Sequence, residues 1–223
     1  MSRPFGKVIT FSGIDGAGKT TLITELAHAL EAGGWSVTRL TMYDDIGLYS
    51  VVRRLRGNRH QLPRDAAHPP GAGRGPSGPG HPLFEALLAV VRARFVKSLL
   101  LPLDLALFLF TRSRVMQSHT DVLVMDRYFY DSLVELQAET VWWGRLFLAL
   151  LPSPEISVFV DVDPAVAFAR KGEYDVPELS RREHAYRLLF DRLQHSVVIR
   201  NDSLKAAKEQ LLRTVFDRLK GRV

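Results

Sequence analysis

Gly13-Ile14-Asp15-Gly16-Ala17-Gly18-Lys19-Thr20 carries every fixed position of the spacing G-x-x-x-x-G-K-[ST]. Glycines let the backbone curl so that successive amide N–H groups converge on one point, and a helix starting there adds the positive end of its dipole. Such a point holds an anion. The Lys that follows can reach outer phosphates as a mobile charge, and the Thr hydroxyl can ligate the Mg²⁺ that accompanies a nucleoside triphosphate. This assigns ATP to Gly13, Asp15, Gly16, Ala17, Gly18, Lys19, Thr20 and Thr21, with Lys19 on the donor phosphates and Thr20 on the metal.

Other charged residues stand where they could join this chemistry. Asp121-Val122-Leu123-Val124-Met125-Asp126 is an apolar run ending in an acid, followed at once by Arg127-Tyr128. Asp126 is thereby a candidate for the metal side and Arg127 a fork for phosphate. Phe108 and Arg112 stand four apart on an apolar helix, so a ring and a guanidinium share one face. Core packing is the competing role for Phe108. Asp44-Asp45 closes the second strand, either at a ligand or as solvated turn carboxylates. The polar stretch Arg170 to Arg182 holds Arg170, Arg181 and Arg182 near a glycine.

These groups need a scaffold, and the apolar periodicity supplies one. Runs at 8–12, 35–42, 121–126, 156–161 and 196–200 read as strands, with helices between them. Thr21 to Leu30 and Leu204 to Leu219 are helical in pattern, with Asn201-Asp202-Ser203 as the cap of the second. Leu83 to Leu101 and Leu103 to Ser118 read as two helices separated by Pro102. Five strands alternating with helices predict an α/β fold: one three-layer domain over 1–223, with a five-stranded parallel sheet covered on both faces.

From Gly57 to Pro82 the composition shifts to Pro, Gly, His and Arg with almost no apolar residues, which predicts a disordered insertion at 57–82. The chain has no Cys, so disulfides, thiolate zinc sites and thiol catalysis are excluded, in agreement with a cytoplasmic location. Met1 to Lys7 enters the first strand too quickly for a signal peptide, so the mature chain is expected to start there. Ser98 to Thr111 is shorter than the roughly 20 residues of a membrane span and is interrupted by Pro102 and Asp104. The net charge of +6 comes from scattered Lys and Arg, which suits phosphate ligands without requiring nucleic acid.

Taken together, these motifs resemble those of thymidylate kinases and related nucleoside-monophosphate kinases of the phosphate-loop type. The resemblance rests on Phe11 to Thr21, Leu107 to Arg112, Asp126-Arg127-Tyr128, and Val160-Asp161-Val162-Asp163-Pro164 with the segment through Arg182. It implies ATP and Mg²⁺ as cofactors and transfer of a phosphoryl group to a small-molecule acceptor, thymidine monophosphate first. It places Asp15 near the acceptor's sugar, Phe108 on its base, and Arg112, Arg127 and Arg54 on the substrate. Arg170 to Arg182 becomes a lid, and the resemblance also allows a homodimer. Lys19, Arg127, Arg170 and Asp15 are then the catalytic set.

Two places differ from the family pattern. Glu135-Leu136 stands where a Tyr-Gln pair would meet the base, and Met42-Tyr43-Asp44-Asp45 replaces an Arg-Glu-Pro-Gly-Gly-Thr stretch. A kinase of the same fold for a nucleoside or sugar therefore stays open. So does a regulatory nucleotide switch or nucleic-acid-dependent ATPase, for which Asp44-Asp45-Ile46-Gly47 gives a loose D-x-x-G but no N-K-x-D accompanies it.

Overall fold

The computed structural model describes residues 6–42, 94–118, 120–138 and 141–220. Among them are the strands β1 (Lys7–Ser12), β2 (Val37–Thr41), β3 (Val122–Asp126), β4 (Ile156–Asp161) and β5 (Ser196–Arg200). The helices are α1 (Lys19–Ala32), α2 (Arg94–Gln117), α3 (Phe129–Leu136), α4 (Trp142–Leu150), α5 (Pro164–Lys171), α6 (Val176–Phe190) and α7 (Leu204–Lys220).

The strands form one all-parallel sheet in the order β2-β3-β1-β4-β5. The connection from β1 runs toward β2, whereas those leaving β3 and β4 run the other way. Right-handed crossovers in opposite directions put their helices on opposite faces. Thus α1 packs on β1, β2 and β3 with α7 beside it, while α6 packs on β4 and β5 with α3 and α5 against it. The α/β domain with a doubly covered, five-stranded parallel sheet is therefore as the sequence predicts. Both faces of the central strands are buried, which is why β3 and β4 read as unbroken apolar runs rather than alternating ones.

This order places β1 at the centre, and its carboxyl end is where neighbouring connections diverge, the position at which open α/β sheets bind ligands. Leu22, Leu26 and Leu30 repeat at helical spacing and anchor α1 in the core, so the loop between β1 and α1 is fixed at both ends. On the other side, rings of α2, α3 and α4 interlock: Phe108 meets Tyr128 and Phe129 edge-on, and Phe129 meets Phe147.

Local departures from expectation have physical causes. Pro102 does not separate two helices, because α2 runs through it. Its ring lies on the exposed side of the helix, away from the core. Helices α3 and α4 fall where a helix between strands is expected, but the sequence pattern gives them no bounds. The polar stretch around 170–182 is mostly helical, with only Gly172 to Asp175 between α5 and α6. The insertion 57–82, Asp44, Asp45, Arg54, and the early part of the helix expected from Leu83 lie outside the described residues. Among the described residues no helix is long and apolar enough to cross a membrane.

Candidate functional site

The glycine loop connects β1 to α1, and its backbone is clamped by what lies behind it. Gly13 and Gly16 both have positive φ, 143° and 87°. A Cβ on Gly13 would lie 2.6 Å from the Val160 carbonyl oxygen, and one on Gly16 only 2.4 Å from that of Ala167. No side chain fits at either place, for reasons of space as well as backbone conformation. From the end of β5, Asn201 Nδ2 donates to the Ala17 carbonyl at 2.7 Å, and the Asn201 N–H donates to the Asp161 carbonyl. Asn201 therefore braces the loop, a role its expected place in a helix cap did not suggest.

Lys19 starts α1 and is 7% exposed. Its ammonium donates to the Gly13 and Ile14 carbonyls at 2.7 and 2.8 Å, folding it back over the loop. Burial lowers its pKa to about 8, the nearby Arg127 adds to the fall, and Asp15, Asp131 and Asp126 oppose it. A charge held at this cost gains from an incoming anion.

Arg127 follows β3 and adopts a left-handed backbone, φ 69°, which costs a non-glycine residue on the order of 1 kcal/mol. Its N–H donates to the Phe11 carbonyl at 2.9 Å, so the turn is held against the end of β1. The guanidinium then lies between two carboxylates, with Nη2 2.5 Å from Asp15 Oδ1 and Nη1 3.5 Å from Asp131 Oδ1. Burial pushes the Asp15 carboxyl up, but Arg127, Lys19 and Lys171 outweigh it and hold it below the usual carboxylate range. Asp15 is therefore an anion already matched by cations.

Asp126 ends β3 in the same corner. Burial raises its carboxyl above the usual range, with Lys19 and Arg127 pulling the other way. Its Oδ1 is buried and makes no hydrogen bond, a deficit of roughly 1–3 kcal/mol if nothing meets it. An orphaned carboxylate oxygen at a strand end fits a hydrated divalent cation, and Thr20, exposed in the first turn of α1, fits as a direct ligand. Among the described residues there is no cluster of three or more His, Asp or Glu that could bind a metal by itself. Any Mg²⁺ held here would share its coordination with phosphate oxygens.

Across the loop, the end of α5 reaches back to it. Lys171 Nζ is 3.5 Å from Asp15 Oδ1 and 2.6 Å from Glu173 Oε2, and Arg170 Nη1 lies 3.5 Å from the Gly16 carbonyl. Arg181 and Arg182 are committed elsewhere. Arg181 makes a fork with Glu178 at 2.8 and 2.9 Å, Arg182 donates to the same carboxylate at 2.7 Å, and its guanidinium lies 4.0 Å from the centre of the Tyr174 ring. Hydrogen bonds from Arg181, against some burial and with help from Arg182, draw the Glu178 pKa down to about 2.

Of the residues singled out from sequence, the loop, Lys19, Asp15, Thr20, Asp126, Arg127 and Arg170 come together. Phe108 does not join them: it is 1% exposed and packed against Tyr128 and Phe129, so no ring face is open for stacking. An aromatic on an apolar helix gives the same sequence signal in either role, and here packing uses it. Arg112 lies near Tyr128, where its charge acts on the phenol. Arg54 lies outside the described residues. Asp131, Lys171 and Glu178 were not singled out, and Asn201 was expected only as part of a helix cap. No family model matches the chain, and no curated protein matches it.

Proposed function

We propose that the chain is an ATP-dependent phosphotransferase of the thymidylate-kinase type, moving a phosphoryl group from ATP to a nucleoside monophosphate. Thymidine monophosphate plus ATP going to thymidine diphosphate plus ADP is the leading reaction, in a cytoplasmic setting. One observation carries the reading: a braced glycine loop holds a buried, backbone-tethered Lys19 in the same corner as Arg127 and the unsatisfied oxygen of Asp126.

Phosphoryl transfer asks mainly for alignment and for positive charge around the equatorial oxygens. In this reading the loop amides and Lys19 bind the donor's outer phosphates, with Lys19 leaving the Gly13 and Ile14 carbonyls for better acceptors. Mg²⁺, held by Thr20 with Asp126 behind it, would neutralise charge on those phosphates. Arg127 turns from Asp15 to the acceptor phosphate, and Arg112, near Tyr128, is assigned to the acceptor as well. Arg170 already reaches the loop and covers the transferring group. The acceptor phosphate is anionic at neutral pH, so the step needs no general base.

A second reading, a kinase of the same fold for another small molecule, is favoured by Glu135 and Leu136. Leu136 packs against the core rather than presenting a hydrogen-bonding edge, and an unpaired polar edge on a base costs roughly 1–3 kcal/mol. The test is to compare specificity constants with ATP for thymidine monophosphate, other nucleoside monophosphates, nucleosides and sugars. Transfer to monophosphates supports the first reading. Transfer confined to unphosphorylated acceptors replaces it with the second, and absence of transfer to any of them contradicts both.

A further inference from the structure

Asp131, the third residue of α3, has a side chain only 1% exposed. Its Oδ2 accepts from Ser12 Oγ at 2.6 Å and from the Tyr128 N–H at 3.1 Å. Its Oδ1 accepts from Tyr186 Oη at 2.7 Å and faces Arg127 Nη1 at 3.5 Å. One carboxylate thus ties the end of β1, the corner after β3, α3 and the lid-side helix α6. The bond to Tyr128 alone would make it a helix cap, the acidic half of a capping box. A cap needs neither burial nor two further hydroxyl donors.

The hydroxyls and the amide satisfy its lone pairs without neutralising its charge. A desolvated carboxylate needs a cation, and among the described residues Arg127 forms an ion pair with it. The separation of 3.5 Å makes this a Coulombic pair more than a hydrogen bond, whereas the 2.5 Å contact to Asp15 is the short one. The two partners differ in permanence. Asp15 belongs to the loop and is shared with Lys171, so phosphates entering there can displace it. Asp131 cannot follow, because three donors from three elements fix its plane.

We propose that Asp131 is a positioning residue that keeps the Arg127 guanidinium aimed at the acceptor phosphate, with Ser12 and Tyr186 fixing its carboxylate. The claim rests on the phosphotransferase reading above and deepens its acceptor side. Asp131→Asn separates this role from that of a cap. An amide oxygen in place of Oδ2 still accepts from Ser12 and Tyr128, and the amide NH₂ can donate to Tyr186 Oη, which accepts as readily as it donates. Arg127 loses this carboxylate and keeps the contact to Asp15.

With ATP as donor and thymidine monophosphate as the acceptor probe, Asp131→Asn should lower kcat/KM for the acceptor about tenfold, mostly through its KM, while KM for ATP stays within about twofold. Unchanged acceptor constants, or an equal loss on the ATP side, would overturn the proposal. Tyr186→Phe is the second variant, and it keeps the ring stacked 5.6 Å from Phe159. It should shift the acceptor KM in the same direction by about threefold, and it carries the test alone should Asp131→Asn fail to fold. No acceptor shift in a well-folded Tyr186→Phe protein would overturn the claim. A wild-type protein that neither binds ATP nor transfers phosphate would instead remove the functional reading beneath it.

Discussion

At the glycine loop, Gly13 and Gly16 press against backbone carbonyls of Val160 and Ala167, and Lys19 is tied to carbonyls of the loop itself. At the start of α6, just past the four-residue turn 172–175, the arrangement is different, because Arg181 and Arg182 are held by one part-exposed side chain of the same helix, Glu178. The first region is held by backbone that cannot be repositioned without moving β4 or α5. The second is held by ion pairs that can exchange partners at small cost. The contrast teaches how a site can be preorganised for one ligand and adjustable for another. In the proposed reading a donor triphosphate would meet fixed amides, whereas the arginines assigned to the lid would first have to leave a carboxylate, which suits charges needed only on closure.

This comparison can be broken at its rigid end. In Gly16→Val, any side chain would meet the Ala167 carbonyl, so the loop has to open. The expected loss of ATP affinity is on the order of a hundredfold, about 2.7 kcal/mol, measured by titration calorimetry on folded protein. ATP binding at the wild-type constant would mean that the loop is not what grips the donor.

A smaller effect sharpens the other half. Arg170→Ala removes a charge that reaches the loop only from the end of α5, and turnover should fall about tenfold while ATP binding changes no more than about twofold. Steady-state kinetics beside direct ATP titration checks this. Affinity lost with turnover kept would move Arg170 to the donor site.

The smallest effect concerns Glu178 and pH. Its folded pKa of about 2 lies below the ordinary value of 4.5, so its contribution to stability is present above about pH 4.5 and is lost as pH falls through about 2. Glu178→Gln should lower Tm at pH 7 by about 2 °C, and the gap to wild type should close toward pH 2. Thermal melts across that range decide it. A gap that stays constant with pH would mean that the pairing of Glu178 with Arg181 and Arg182 does not contribute to stability through its charge.

The difference between the two regions also governs what could be read from sequence. The loop was legible because each of its positions has a backbone reason: glycine where no Cβ fits, and Lys and Thr where α1 begins. The strands were legible because central parallel strands are apolar throughout. Asp131 was not, since its meaning depends on Ser12 and Tyr186, which lie 119 and 55 residues away in sequence. Phe108 was misleading for a related reason, because whether a ring packs or stacks is decided by Tyr128 and Phe129 beside it. Helix α2 was divided at Pro102 because a sequence does not disclose which side of a helix faces water.

The claim that the loop is a donor-phosphate grip is tested most directly by following label from γ-labelled ATP into thymidine monophosphate and the other acceptors, with Lys19→Ala measured alongside. Lys19 offers charge from a braced position, so the variant should melt cooperatively and transfer label on the order of a hundredfold more slowly than wild type, about 3 kcal/mol. Transfer by Lys19→Ala at the wild-type rate would contradict the account.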